Sequence, residues 1–98
     1  MIRHTVVFSL KYAKGSQQES DFFTAAARLA GIPGVEKFET LKQVSKKNNY
    51  SFGFSMEFAN SEIYDAYNCD ALHTRFIEEH WFNAVSDFME IDYEIMKK

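Results

Sequence analysis

The sequence predicts one α+β domain whose elements run strand, helix, strand, strand, helix, strand (βαββαβ). Three observations predict it. The chain starts with an apolar, β-branched run; a later stretch alternates strictly between apolar and small or polar residues; and two segments with helical spacing separate the strands.

Ile2 to Leu10 is the first strand, and the succession Val6-Val7-Phe8 predicts burial on both of its faces. Lys11 to Gly15 is polar and ends in glycine, a loop signal. Ser16 and Glu19 stand at capping-box spacing, and Phe22, Ala26, Leu29 and Ala30 then recur on one helical face. Gly31-Ile32-Pro33-Gly34 ends that helix, since glycine permits a left-handed turn and proline cannot continue the helix.

Val35 to Val44 alternates as a strand, with Val35, Lys37, Glu39 and Leu41 directed one way and Glu36, Phe38, Thr40 and Lys42 the other. Ser45 to Asn49 reads as a hairpin loop. Tyr50, Phe52, Phe54, Met56 and Phe58 then alternate with Ser51, Gly53, Ser55 and Glu57, and Gly53 predicts a close approach on the second face. Asn60 or Ser61 caps a second helical region with Ile63, Ala66 and Tyr67 on its apolar face. A break is expected near Asn68-Cys69-Asp70, after which Leu72, Phe76, Ile77, His80 and Trp81 continue the helix to about Val85. Phe88 to Met96 is the last strand, with Met89, Ile91, Tyr93 and Ile95 on one face.

This order predicts a four-stranded antiparallel sheet with the helices on one face. The bare face would carry Thr5, Val7 and Ser9, then Glu36, Phe38 and Thr40, then Ser51, Gly53 and Ser55. So mixed a surface calls for a partner, and isologous pairing of two copies provides one. Ten Phe, five Tyr and one Trp among 98 residues agree with aromatic surface buried between subunits.

A formal charge of −3, from 11 basic and 14 acidic residues, provides no basic stripe for nucleic acid. The pairs Lys46-Lys47 and Lys97-Lys98 read as solvated charge in a turn and at a chain end. No stretch approaches the ~18 apolar residues of a membrane span. A lone cysteine, Cys69, excludes an internal disulfide framework, and the opening run is too short and polar for a signal peptide. A cytoplasmic protein is therefore expected, with neither nucleic acid nor membrane as partner.

Three residues invite a chemical reading. His4 is in register with Ile2, Val6 and Phe8 on the helix-covered face, where a neutral imidazole offers a ligand one donor and one acceptor. His73 stands just ahead of Phe76 on the helical face toward the sheet, and Tyr67 precedes the break. If the pair converges on one pocket mouth, His73 withdraws a proton while the Tyr67 hydroxyl bonds a substrate carbonyl. That is enolisation or aldol-type chemistry without a cofactor. In the competing structural reading His4 is a hydrogen-bonded core residue, His73 caps a helix, and Tyr67 packs with its hydroxyl at the surface. Glu78, Glu79 and His80 face different directions on a helix, so no metal site is expected. Cys69 reads as a small buried hydrophobe, and Trp81 and Phe82 as core or dimer rim.

The opening Met1-Ile2-Arg3-His4-Thr5-Val6-Val7-Phe8-Ser9-Leu10 resembles the first strand of the stress-responsive A/B-barrel (Dabb) domain. So do the turn Ile32-Pro33-Gly34-Val35, the group Tyr67, His73 and Phe76, and the closing Asp92-Tyr93-Glu94, in the right order along the whole chain. The resemblance implies a ferredoxin-like subunit whose sheet packs on a second copy as a dimeric α/β barrel. It also implies a cleft between sheet and helices for a small apolar or aromatic molecule. In a plant cyclase of the family a histidine and a tyrosine of the second helical region act on the substrate, and these correspond to His73 and Tyr67. The first-strand histidine corresponds to His4, and a third-strand histidine to Phe52. Where the family has His-Pro-x-His, this chain has Asp70-Ala71-Leu72-His73. The expected ligand-binding set is His4, Phe52, Tyr67, His73 and Phe76, with His73 and Tyr67 as catalytic candidates. Three functions follow: a dimeric small-molecule binder, a cofactor-free cyclase or monooxygenase-like enzyme, or a ligand-free oligomeric stress protein.

Overall fold

The computed structural model describes residues 1–96, so the Lys97-Lys98 pair lies outside the described residues. Strand β1 (Ile2–Leu10) leads to helix α1 (Gln17–Ala27), a 3-10 turn (Arg28–Gly31), β2 (Glu36–Lys42) and β3 (Phe52–Phe58). Helices α2 (Ser61–Cys69) and α3 (Ala71–Phe76), a π-helical turn (Ile77–Trp81) and the short α4 (Phe82–Ala84) then return the chain to β4 (Val85–Glu94). The strands form one antiparallel sheet in the order β2-β3-β1-β4, with helices on one face, the ferredoxin-like arrangement.

The alternation of β1 and β3 positions the core. His4, Val6 and Phe8 face the helices beside Met56, Phe54 and Phe52, because β1 and β3 pair His4 with Met56, Val6 with Phe54 and Phe8 with Phe52. Helix α1 begins where Ser16 Oγ accepts the Glu19 backbone N–H at 3.2 Å, and it buries Phe22, Ala25 and Ala26 against the sheet. Ala30, expected on that face, is exposed. The helix tightens to 3-10 geometry at Arg28, which keeps Leu29 inside and rotates Ala30 out.

Strand β2 corrects the expected faces. An extra residue between Glu36, opposite Glu57, and Glu39, opposite Ser55, makes a bulge at Lys37, whose φ is +51°. One inserted residue inverts the alternation. Phe38 turns to the helix side, its ring 5.6 Å from that of Phe54, and Thr40 pairs with Phe54, while Glu39 and Leu41 take the open face. The close approach at Gly53 comes from neighbouring strands, since a Cβ there would sit 3.2 Å from the Val6 carbonyl oxygen, between Val7 and Leu41. Strand β4 begins at Val85, earlier than expected, because the helical segment ends at Ala84. Its odd residues Met89, Ile91 and Tyr93 lie on the open face opposite Val7, Thr5 and Arg3, leaving a broad apolar stripe exposed.

Gly34 closes the turn after the 3-10 segment at φ +91°, and a Cβ on it would overlap Ile63 Cγ2. Strain and overpacking act together there, so Gly34→Ala should lower stability by about 2–3 kcal/mol in urea unfolding. A loss below about 0.5 kcal/mol would show that neither effect operates.

Candidate functional site

A cleft of about 400 Å³ opens between the helix-covered face of the sheet and the second helical region. The sheet supplies His4, Val6, Phe54, Met56, Phe88 and Glu90 to it; the helices supply Leu29, Tyr67, His73, Phe76, Ile77, Trp81 and Phe82.

The break between α2 and α3 brings Tyr67 and His73 together. Asp70 leaves helical geometry at ψ 138°, and its carboxylate accepts the Leu72 backbone N–H at 2.8 Å, capping α3. The resulting turn sets the His73 ring 4.5 Å from that of Tyr67. His73 Nδ1 lies 3.3 Å from the Asn68 carbonyl, to which only a protonated Nδ1 can donate, so Nε2 is left as an acceptor. Burial, joined by the neighbouring His4, lowers the His73 pKa from its ordinary 6.5, against the opposing pull of the Asn68 hydrogen bond. Burial above all, then Tyr64 and the Glu90 carboxylate, hold the Tyr67 hydroxyl well above the usual phenol range. Tyr67 is thus a neutral hydroxyl. It makes no side-chain hydrogen bond among the described residues, yet no buried polar atom there is unpartnered, so its oxygen is open to the cleft it lines.

His4 is held differently. The β1–β4 register sets it directly opposite Asp92, and Nδ1 donates to Asp92 Oδ1 at 2.5 Å. The Tyr64 hydroxyl donates to Asp92 Oδ2 at 2.8 Å and stands 3.0 Å from Nδ1 as a secondary acceptor. Burial, then the hydrogen bond to Asp92, raises the Tyr64 pKa, so this hydroxyl keeps its proton. With Nδ1 engaged, Nε2 is the basic nitrogen of His4. By the reasoning applied to Tyr67 it is open to the cleft.

Of the expected site residues, the fold brings His4, Tyr67, His73 and Phe76 to this one cleft. Phe52 is not among them. Antiparallel pairing carries it to the far end of β3, opposite Phe8, where its ring packs 4.9 Å from that of Phe23; the third-strand residue beside His4 is Met56. The Tyr67 hydroxyl is not at the outer surface, because the Tyr67 side chain is buried against Phe58 and His73. Cys69 is exposed rather than buried, since α2 turns Ile63, Tyr64 and Tyr67 inward; Ala66 is exposed for the same reason. Trp81 packs on the core, while Phe82 projects from the cleft rim and is 77% exposed.

Tyr64, Asp92 and Glu90 had no place in the expected site. Tyr64 stands three positions before Tyr67, on the same helical face, and pairing β1 with β4 would have set Asp92 against His4. The π turn could not be read from periodicity, yet its extra residue per turn separates inward Trp81 from outward Phe82.

The lowered His73 pKa has a defined consequence for stability. The unfolded chain takes up this proton near pH 6.5 and the folded chain only at lower pH. The stability His73 contributes is therefore complete above that pH and falls as pH drops through the window between the two values. Thermal melts from about pH 7.5 to 5.5 should fall less steeply for His73→Gln than for the wild type. Equal slopes would contradict the burial of this imidazole in its neutral form.

Residues 2–95 match the family described as Stress responsive A/B Barrel Domain (Dabb). A Dabb family protein of Mesorhizobium loti with a ferredoxin-like fold is 46% identical, superposes with a TM-score of 0.95, and is matched over 98% of this chain and 97% of its own. A hydroxynitrile lyase from Passiflora edulis shares 13% identity and a TM-score of 0.85 over 99% of this chain and 94% of its own, a likeness of fold. A protein of Thermobifida fusca described as dimeric, ferredoxin-like and of unknown function shares 19% identity and a TM-score of 0.79, over 96% of this chain and 90% of its own. Comparison with curated proteins gives no match.

Proposed function

The chain belongs to the stress-responsive A/B barrel (Dabb) family, and from that premise we propose that it is a homodimer whose subunits each hold a small apolar or aromatic molecule beside His4, Tyr67 and His73. The observation that carries this reading is the cleft: about 400 Å³ of largely aromatic and aliphatic wall with polar groups gathered around His4, His73 and Glu90. Apolar concavity with a few convergent polar groups is the usual form of a small-molecule site. Pairing through the open sheet face is supported by the exposed Leu41, Met89, Ile91 and Tyr93, and by dimeric proteins of the same fold. A ligand-free stress protein would have this volume filled by side chains, so the cleft weighs against that alternative. A cytoplasmic setting belongs to the same proposal, suited to a thiol exposed at Cys69.

Native mass spectrometry of gently purified protein tests the proposal. A dimer that carries a small molecule, released on denaturation, is expected. A monomer would contradict the assembly. A ligand-free dimer that also fails to take up aromatic probes would contradict the binding role.

One observation favours an enzymatic second reading. Asp92 fixes His4 in the tautomer that leaves Nε2 free as a base, Tyr67 offers a neutral hydroxyl, and a neutral His73 adds a second acceptor. Such a set can take a proton from carbon or oxygen and stabilise the developing enolate without a cofactor. Turnover of a retained ligand should then collapse in His73→Ala with binding intact. Equal rates in both proteins would leave only the binder.

A further inference from the structure

Building on the reading of the cleft as a ligand site, we propose that Glu90 makes it selective for uncharged aromatic molecules bearing a hydroxyl or similar donor, and that it turns away carboxylates of the same shape. Among the described residues no lysine or arginine lines the cleft, and Glu90 is the one acidic side chain in its walls. Glu90 lies opposite Val6 in the β1–β4 pairing, one step along the same face from the His4–Asp92 pair. Asp92 is already engaged by His4 and Tyr64, whereas Glu90 has no hydrogen-bond or ion-pair partner among the described residues. Burial dominates the shifts of Tyr64, Tyr67 and His73, and the negative charge of Glu90 is felt at all three as a smaller upward pull.

An anion entering this space would meet a carboxylate, with no fixed cation to offset the repulsion. Glu90 is itself exposed, and the rings of Phe54, Phe76 and Phe88 offer an entering carboxylate no donor in exchange for the water it leaves behind. A neutral donor meets the opposite situation. It finds two acceptors without a proton of their own, the Glu90 carboxylate and Nε2 of His4, while its ring covers apolar wall. Were Glu90 only a solvated strand residue, its neutralisation would leave selectivity unchanged.

Calorimetric titration of the full chain at neutral pH with 2-naphthol and 2-naphthoate, in wild type and Glu90→Gln, tests this. Glu90 is exposed, so the glutamine variant keeps the fold. The wild type should bind naphthol at least about tenfold more tightly than naphthoate, and Glu90→Gln should narrow the difference to about threefold or less. Equal affinities in the wild type, or a ratio unmoved by Glu90→Gln, would overturn the selectivity while leaving the cleft a ligand site. Failure of both compounds to bind would overturn the ligand reading, and this inference with it.

Discussion

Phe8→Ala is expected to lower stability by about 3–5 kcal/mol, a large part of the margin of so small a domain. Phe8 is fully buried on the central strand β1 and joins the sheet's aromatic residues to those of the helices. Its ring lies 4.8 Å from that of Phe54, 5.1 Å from Trp81 and 5.8 Å from Phe22, centroid to centroid. Alanine would remove these contacts and leave a cavity between rings that cannot close around it, because each is held by other neighbours. Trp81, a wall of the cleft, would lose its support. Chemical unfolding monitored by Trp81 fluorescence would give the loss, and Phe8→Leu, which keeps most of the volume, should lose much less. A Phe8→Ala variant within about 1 kcal/mol of wild type would show that the core does not centre on this ring.

Ile91→Asp should convert the proposed dimer into a folded monomer. Ile91 stands opposite Thr5 on the open face, flanked along β4 by Met89 and Tyr93. It is already 38% exposed in the single chain, so aspartate is tolerated by the fold itself. In a sheet-to-sheet pair the same carboxylate would be desolvated without a partner, twice over by symmetry, which weakens association by several kcal/mol, roughly 100-fold or more. Analytical ultracentrifugation should show the wild type as a dimer and Ile91→Asp as a monomer with an unchanged circular dichroism spectrum. A dimer that survives the substitution would place the interface elsewhere.

The fold was largely legible because the alternation in β1 and β3 and the cap at Ser16 are local signals, each confined to a few neighbouring residues. What escaped was non-local or depended on a single residue. The bulge at Lys37 reverses the two faces of β2, and no alternation rule reports a bulge before the strands are paired. The start of β4 was hidden because Phe82 and Val85 extend an apolar helical pattern across the π turn. The site divides in the same way. His4, Tyr67, His73 and Phe76 could be named from face and spacing together with the resemblance of the chain to its family. Asp92 and Glu90 reach His4 and the cleft only through the β1–β4 register, a pairing of the chain's two ends. Phe52 was misplaced for a related reason, since its distance from His4 is set by the direction of β3 and not by its position in the alternation.

A small molecule bound in the cleft beside His4, Tyr67 and His73 should perturb the residues that line it. Amide and indole chemical shifts of labelled protein, followed during titration with 2-naphthol, test that most directly. The predicted result is a saturable set of shifts at His4, Tyr67, His73, Glu90 and the Trp81 indole N–H. The contradicting result is no saturable shift there, or shifts confined to the groove between Tyr12 and Tyr50 at the opposite end of the sheet.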